Sequence, residues 1–344
     1  MGDFVYYNGA SLLNADCPIN FCIGNRSIGK SYYWKRYLFK QYVEKGKKFI
    51  YLRRHVNDID MSAPTWFDDI GNVYPNYNVE FKGNIFYAKN LDTDTANICG
   101  YAFALSMIHK LKSVPMEDVD FIFFDEFIPE NLQYLKPLDP TYEPKLLLSV
   151  YLTVARGYKR PIRDEVKIIC AANLITLYNP YFSFFSITIK PSKKQYNKIV
   201  HNNVYVEIVT LEETANLIRE SKIGKVLENT TYGDYALSNV PLLDVESNIK
   251  KRPQRCRVFF EIYLYKWYIC YFDDYGNNYI APGFDQNIKL KYKVTDVEGD
   301  NILWFKGDIV RTMRKCVENN KLFYHDMETK SALMGLLTPR VGGL

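Results

Sequence analysis

Two stretches of this chain carry residue types suited to phosphate chemistry. Gly24-Asn25-Arg26-Ser27-Ile28-Gly29-Lys30-Ser31 fits G-x-x-x-x-G-K-S, the Walker A pattern. Gly24 and Gly29 let the backbone turn tightly, so that successive N–H groups point at phosphate oxygens. Lys30 is placed to reach the β- and γ-phosphates, and Ser31 can offer its hydroxyl to Mg²⁺. The bland alternative is an ordinary strand-to-helix turn with an exposed lysine. Context favours the nucleotide. An apolar strand over Ile19–Ile23 leads in, and an amphipathic helix over Tyr32–Lys45 leads out, its N-terminal dipole favouring bound anions.

The second stretch is Phe121-Ile122-Phe123-Phe124-Asp125-Glu126-Phe127. Four apolar residues followed by two acids make a Walker B signature. Asp125 would hold Mg²⁺ directly or through water, and Glu126 would orient and deprotonate an attacking water. Many buried strands end in an acid at a loop, so the run alone says little. Downstream of a Walker A it points to hydrolysis of a nucleoside triphosphate rather than binding alone. A third apolar run, Val166–Ala172, ends in Asn173 at the same predicted edge. An asparagine there can sense the γ-phosphate or the water, or it can simply form a turn; position alone leaves this even.

The elements that must carry these residues read as an α/β protein. Strand Ile19–Ile23, helix Tyr32–Lys45 and strand Lys48–Arg53 form an opening strand–helix–strand unit of a parallel sheet, with Gly46 as a helix C-cap. All-apolar strands such as Phe121–Phe124 are what a sheet buried on both faces requires. Short strands are expected near Val79–Phe81 and Ile85–Tyr87, a loop over 131–145, a helix over Leu146–Val154, and last strands of the domain over Tyr181–Ile189 and Val204–Val209. Residues 212–234 read as a linker or bridging subdomain. Beyond about residue 245 the pattern turns antiparallel. Val258–Phe272 alternates aromatic and aliphatic residues up to a turn at Asp273–Asn278, Lys289, Lys291 and Lys293 share a strand face, and Asn301–Asn320 reads as one amphipathic helix. The expected divisions are 1–200, 201–245 and 246–344.

Composition bounds the rest. At 344 residues and 47% hydrophobic content the chain can build two domains with sizeable cores. A net charge of +5 permits polyanion binding without demanding it. The seven cysteines are odd in number and contain no C-x-x-C pair, so they read as reduced thiols in a cytosolic setting. The four histidines are far apart, which argues against a histidine metal site. No signal peptide or membrane-spanning run is visible.

The order of motifs resembles one family. The Walker A with Arg26 in its third position is followed by Phe49-Ile50-Tyr51-Leu52-Arg53-Arg54, then Phe123-Phe124-Asp125-Glu126-Phe127-Ile128, then Asn179-Pro180-Tyr181-Phe182 with Phe184-Phe185. This succession is similar to the small packaging ATPases of phi-29-type tailed bacteriophages, over roughly residues 20–190. The resemblance implies an additional-strand (ASCE) P-loop ATPase domain followed by a small α+β domain resembling an RNase H-like nuclease without its active site. It implies a homomeric ring, a pentamer, that uses ATP and Mg²⁺ to drive double-stranded DNA into a preformed capsid. The implied partners are the portal vertex and, in some members, a packaging RNA; the implied location is the host cytoplasm at that vertex, with no membrane and no secretion.

Carried over by position, Gly24, Asn25, Arg26, Ser27, Ile28, Gly29, Lys30 and Ser31 hold the nucleotide, Ser31 and Asp125 the metal, and Glu126 the water. Asn173 fits the family's polar residue after the next strand. Arg156 falls at the arginine-finger position, a group worth about 10³–10⁵ in rate in comparable enzymes. Arg160 and Arg163 are its fallbacks, and Lys112 aligns with a second basic residue acting on a neighbour. Taken alone, Arg156 reads as a solvated charge at a helix end.

Three other readings compete. Another ring translocase or helicase would share the Walker motifs and finger. A terminase with an active nuclease would need carboxylate ligands such as Asp273, Asp274, Asp285 and Asp296, and Asp273-Asp274 already read as a turn. A nucleotide-gated scaffold is opposed by an intact Glu126. For DNA, any-sequence grip needs only phosphate contacts. Lys82 and Lys89 are the pore-facing candidates, and the cluster Lys250, Lys251, Arg252, Arg255 and Arg257 suits RNA, portal, DNA or plain solubility.

Overall fold

The computed structural model describes residues 6–108, 116, 118–130, 133–136, 139–156, 161–187, 189, 196–228, 230–238, 241–242 and 248–337. It divides into two units, one of residues 1–130, 143–177 and 181–242, the other of 131–142, 178–180 and 243–344. The first unit therefore runs past the expected boundary at residue 200.

In the first unit the elements begin with α1 (Ala10–Asn14), β1 (Ile19–Gly24), α2 (Lys30–Lys45), β2 (Lys48–Arg53) and α3 (Val56–Ser62). Next come β3 (Tyr77–Lys82), β4 (Ile85–Asn90), β5 (Thr95–Ala104), β6 (Val119–Asp125) and α4 (Tyr142–Val154). The unit ends with β7 (Lys167–Asn173), α5 (Pro180–Phe184), β8 (Tyr196–His201), β9 (Val204–Val209), α6 (Glu212–Glu220), α7 (Lys222–Leu227) and α8 (Thr231–Ser238). One nine-stranded sheet has the order β3-β4-β5-β2-β6-β7-β1-β9-β8. Its interior strands β5, β2, β6, β7, β1 and β9 run parallel in that order, and β3, β4 and β8 add antiparallel edges. β7 lies between β6 and β1, so the strand ending in Asp125 and the strand opening the glycine loop are not neighbours.

Burial on both faces explains the apolar runs: every residue of β1 and β6 is buried. Phe21 and Cys22 send their side chains to opposite faces, as the period of two demands. Cys22 joins Trp34, Leu38 and Phe39 of α2, while Phe21 packs at 5.0 Å on Phe127 and 5.5 Å on Phe182. That second cluster accounts for one departure from expectation. Tyr181–Ile189 reads as a strand, yet its start is the helical turn α5, because Pro180 suits a first helical position and one helical face delivers Tyr181, Phe182 and Phe185 to Phe21. The expected loop over 131–145 is helical from Tyr142, again with a proline, Pro144, in the first turn. The linker region is the three helices α6 to α8 of the first unit.

The second unit contains β10 (Arg257–Leu264), β11 (Lys266–Phe272), β12 (Asn278–Pro282), β13 (Lys291–Lys293), β14 (Ile302–Trp304), α9 (Asp308–Glu318), β15 (Leu322–Tyr324) and α10 (Met327–Leu337). Its sheet order is β14-β13-β10-β11-β12-β15, with β10–β11–β12 antiparallel and β13 and β14 added in parallel. Met313, Leu333, Leu336 and Leu337 of the two helices close its core against Phe260, Ile262 and Cys270. Two expectations change here. The long apolar run is split by Tyr265, whose φ of +58° makes the turn between β10 and β11. Asn301–Asn320 is not one helix: Gly307, at φ +67°, ends an extended stretch and caps α9. All seven cysteines are free thiols. No helix among the described residues is long and apolar enough to cross a membrane.

Candidate functional site

The glycine loop joins the C-terminal end of β1 to the first turn of α2. Gly24 is required by proximity, since a Cβ there would sit 2.3 Å from the Val209 carbonyl oxygen of the neighbouring strand. Ser27 (φ +64°) and Gly29 (φ +84°) are both left-handed, and this alternation curls the loop amides inward. Ile28 contributes backbone only. Its side chain is fully buried, and its carbonyl accepts from Tyr7 N at 2.8 Å.

Lys30 folds back into the loop. Its ammonium donates to Gly24 O (3.1 Å), Asn25 O (2.6 Å) and the Asn173 Oδ1 atom (3.3 Å). Burial pushes this ammonium down to about 8, against the pull of Asp125 and Cys22. Asn25 is buried with neither Nδ2 nor Oδ1 hydrogen-bonded among the described residues. A buried lysine short of counter-charge and an Asn25 Nδ2 donor short of an acceptor are what a bound polyphosphate would satisfy.

Two strands over, the Ser31 hydroxyl donates to Asp125 Oδ1 at 3.0 Å. Burial raises the Asp125 carboxyl above its ordinary range, opposed by the Arg53 charge. A hydroxyl and a carboxylate at this spacing are hard oxygen donors of the kind Mg²⁺ takes, with phosphate and water completing its shell. Among the described residues no group of three His, Cys, Asp or Glu side chains could hold a metal alone.

Glu126 follows in the left-handed region, at φ +58°. A non-glycine residue there is held by its surroundings. The holding group is Arg54, which donates to Glu126 O (3.2 Å) and Phe127 O (2.6 Å) while gripping both oxygens of buried Glu143 at 2.9 and 3.1 Å. Tyr181 OH donates to the same carboxylate at 2.7 Å. Arg53 takes the Glu126 side chain itself, at 2.6 Å. Sequence reasoning assigned no role to Arg53, Arg54 or Glu143. The available signal was a pair of arginines closing β2 at the edge where the acids emerge.

The other expected residues lie apart from this cluster. Arg26 turns outward to Glu130 (3.0 Å) and Tyr232 OH (3.3 Å). Arg156 is exposed, just beyond the end of α4. Arg163 N donates to Ala155 O at 2.7 Å, and its guanidinium reaches Val119 O and Asp120 (3.5 Å), at the start of β6. Arg163 is thus occupied within its own chain at the opposite end of β6 from Asp125. Arg156, next to Ala155, is likewise remote from its own chain's phosphate loop. Lys112 and Arg160 lie outside the described residues. Lys82 and Lys89 sit on the β3–β4 edge hairpin, paired with Glu80 and Asp94, each at 2.5 Å.

In the second unit, the acids proposed for a nuclease are dispersed. Asp273 accepts from Tyr275 N, Asn277 N and Nδ2, and Tyr279 OH, a self-contained turn. Asp274 pairs with Arg257, Asp285 closes a turn with Asn287, and Asp296 pairs with Lys293 at 3.6 Å. Of the basic cluster, Arg252 stacks over Tyr271 at 4.3 Å, and Lys250 lies 5.3 Å from the Phe323 ring.

Comparison with known proteins gives this arrangement relatives. The family described as podovirus DNA encapsidation protein (Gp16) matches residues 1–332. The DNA packaging protein of Bacillus phage phi29 is 29% identical over 338 residues, covering 97% of this chain and 92% of the relative. That of Bacillus phage B103 is 29% identical over 327 residues. Among solved structures, a chain of the bacteriophage phi-29 viral genome packaging motor assembly superposes with a TM-score of 0.67 at 26% identity, covering 96% of this chain and 98% of that one. The N-terminal domain of the phi29 DNA packaging ATPase gives a TM-score of 0.50 at 32% identity, covering 59% of this chain and 95% of that domain.

Proposed function

The chain belongs to the podovirus DNA encapsidation protein family, and on that premise we propose that it is an ATPase that drives double-stranded viral DNA into a preformed capsid as a homomeric ring. The observation that carries this reading is the convergence of Lys30, Ser31, Asp125, Glu126 and Asn173 at the C-terminal edge of β1, β6 and β7. A phosphate site at the carboxyl ends of parallel strands is where an open α/β sheet builds one.

Each residue has a task there. The loop amides of 24–31 and Lys30 hold the β- and γ-phosphates of ATP. Ser31 and Asp125 hold Mg²⁺, which supplies positive charge where negative charge develops. Glu126 orients the attacking water and takes its proton once it leaves Arg53. Asn173, already bonded to Lys30, registers whether the γ-phosphate is present. Arg156 cannot serve its own loop from the far end of β6, so it acts as the finger of a neighbouring subunit. Lys112 is the candidate for a second basic residue in trans.

The interposed strand β7 supports the additional-strand type of P-loop domain. The β12-β11-β10-β13-β14 order supports an RNase H-like second unit, and the dispersal of its acids favours one without nuclease activity. Pentameric assembly, the portal vertex and a packaging RNA enter from the family resemblance, as does work in the host cytoplasm. The phi-29 motor assembly among the solved structures supports an oligomeric motor.

The test is ATP hydrolysis per subunit across protein concentration, with and without double-stranded DNA. A ring motor gains rate with both, and separates no strands. A rate indifferent to both would overturn the motor reading, and unwinding of duplex DNA would favour a helicase.

A further inference from the structure

A phosphate loop fixes only one end of a nucleotide; the base needs its own wall. The segment 6–9 ahead of α1 is strapped to the loop in a way that offers one. Tyr7 N donates to Ile28 O at 2.8 Å, and Tyr7 OH donates to Glu207 Oε1 at 2.5 Å. Glu207 is wholly buried on β9, and Tyr205 OH donates to its other oxygen at 3.0 Å. The Tyr7 ring packs edge-on against Tyr33 at 5.3 Å. Gly9 follows so closely on α2 that a Cβ there would meet Trp34 at 2.6 Å. A buried carboxylate carrying two tyrosine hydroxyls is a costly way to anchor a surface segment unless its position matters.

What this anchor positions is Tyr6. Its ring lies on Gly29, where a Cβ would come within 2.8 Å of Tyr6 Cδ1, and 6.1 Å from the ring of Tyr32 at an interplanar angle of 38°. Tyr32 directly follows Ser31, the residue beside the metal position. Tyr6 is 54% exposed. Two tilted aromatic rings at the mouth of the loop, one exposed and both on rigid supports, match the flat face of a nucleobase.

We propose that Tyr6 and Tyr32 form the base-stacking wall of the nucleotide site, with the Tyr7–Glu207 hydrogen bond holding Tyr6 in place. The inference rests on the nucleotide reading of residues 24–31 and adds the other half of the ligand: a purine, whose large π-face gains most from such a wall. Tyr232 is also exposed; Arg26 donates to its hydroxyl at 3.3 Å and its ring packs on Tyr235 at 5.5 Å.

The test is equilibrium binding to the full chain with Mg²⁺, measured calorimetrically for ATP, CTP and inorganic tripolyphosphate. The proteins are wild type, Tyr6→Ala, Tyr6→Trp, Tyr32→Ala and Tyr232→Ala. The wall predicts that Tyr6→Ala weakens ATP binding about tenfold, the scale of one lost base–aromatic stack, and leaves tripolyphosphate unchanged. Tyr6→Trp should retain ATP affinity, and CTP should lose less than ATP in Tyr6→Ala. Equal loss of ATP and tripolyphosphate in Tyr6→Ala would make Tyr6 a prop of the loop and overturn the wall. So would ATP affinity untouched by Tyr6→Ala and Tyr32→Ala, or lost in Tyr232→Ala instead. Wild type that binds neither ATP nor tripolyphosphate would bring down the nucleotide reading itself, and the wall with it.

Discussion

Arg53 and Glu126 form an ion pair, Nη2 to Oε2 at 2.6 Å, that occupies the carboxylate proposed above to activate water. The arginine also stands 3.8 Å from Asp125, so one guanidinium spans both acids. A glutamate in this pair points its charge at Arg53 rather than at a nucleophile. On the role proposed for Glu126, hydrolysis would require this pair to part. The Glu126 side chain is 61% exposed, so the restraint is modest, about 1 kcal/mol or less as for other exposed pairs. Arg53→Gln should then raise the unstimulated ATPase rate by up to about fivefold and narrow the gap to the DNA-stimulated rate. Glu126→Gln should lower the rate by about 10²–10⁴ while ATP still binds. Steady-state rates with and without DNA check both; a slower unstimulated rate in Arg53→Gln would mean the arginine supports catalysis directly.

Lys30 offers a proton-linked prediction. Its ammonium is lowered to about 8 by burial. A lysine whose folded value lies below its unfolded one sheds a proton on folding, so its contribution to stability improves as pH rises from about 8 towards the unfolded value. A bound polyphosphate reverses the cause by supplying negative charge, and raises the lysine again. Binding of ATP should therefore take up protons near pH 8.5 and far fewer near pH 6.5. Calorimetry in buffers of different ionisation enthalpy reads this directly. No buffer dependence at pH 8.5 would mean that Lys30 does not meet the phosphates.

Arg54 and Glu143 are both almost fully buried, at 4% and 2% side-chain exposure. Removing one member strands the other's charge in the core, a loss of about 3–5 kcal/mol in comparable pairs. Glu143→Ala should lower stability by that order, seen in chemical denaturation. It should also free the Glu126 and Phe127 carbonyls that Arg54 holds, so that hydrolysis falls even below the melting transition. Glu143→Gln, which keeps an acceptor for Tyr181, should lose less of both.

Much of this site was legible in the sequence because its chemistry is local. Gly24, Lys30 and Ser31 are close in the chain, and the strand–loop–helix around them follows from apolar pattern and glycine placement. Asp125 and Glu126 stood out by ending an all-apolar run. Arg53 and Arg54 did not, since a charge after a strand reads as solvated, and only the pairing of β2 with β6 brings them to Glu126 and Glu143. Glu207 was equally hidden: its partner Tyr7 is remote in sequence, and the contact exists because β9 pairs with β1. The helices and strands that were misread share a cause. In Tyr181–Ile189 and Asn301–Asn320 apolar residues fit more than one period, and the decision fell to Pro180 and Gly307, whose backbone preferences override the pattern.

Arg156 separates a motor from a solitary nucleotide switch. It is exposed beyond α4, while Arg163 beside it is tied to the start of β6. Within one chain it cannot reach phosphates held at the other end of that strand. If it serves a neighbour, Arg156→Ala should reduce the assembled rate by about 10³ or more without weakening ATP binding. Mixing supplies the sharper check. Glu126→Gln subunits lack the base but keep the finger, and Arg156→Ala subunits keep the base but lack the finger. Each is inactive alone, yet a mixed ring contains interfaces where an intact Glu126 faces an intact Arg156. Activity should therefore reappear on mixing, peaking near equal proportions. Failure of any mixture to recover activity, with each variant still binding ATP and assembling, would place the stabilising cation elsewhere, with Arg160 the next residue to substitute.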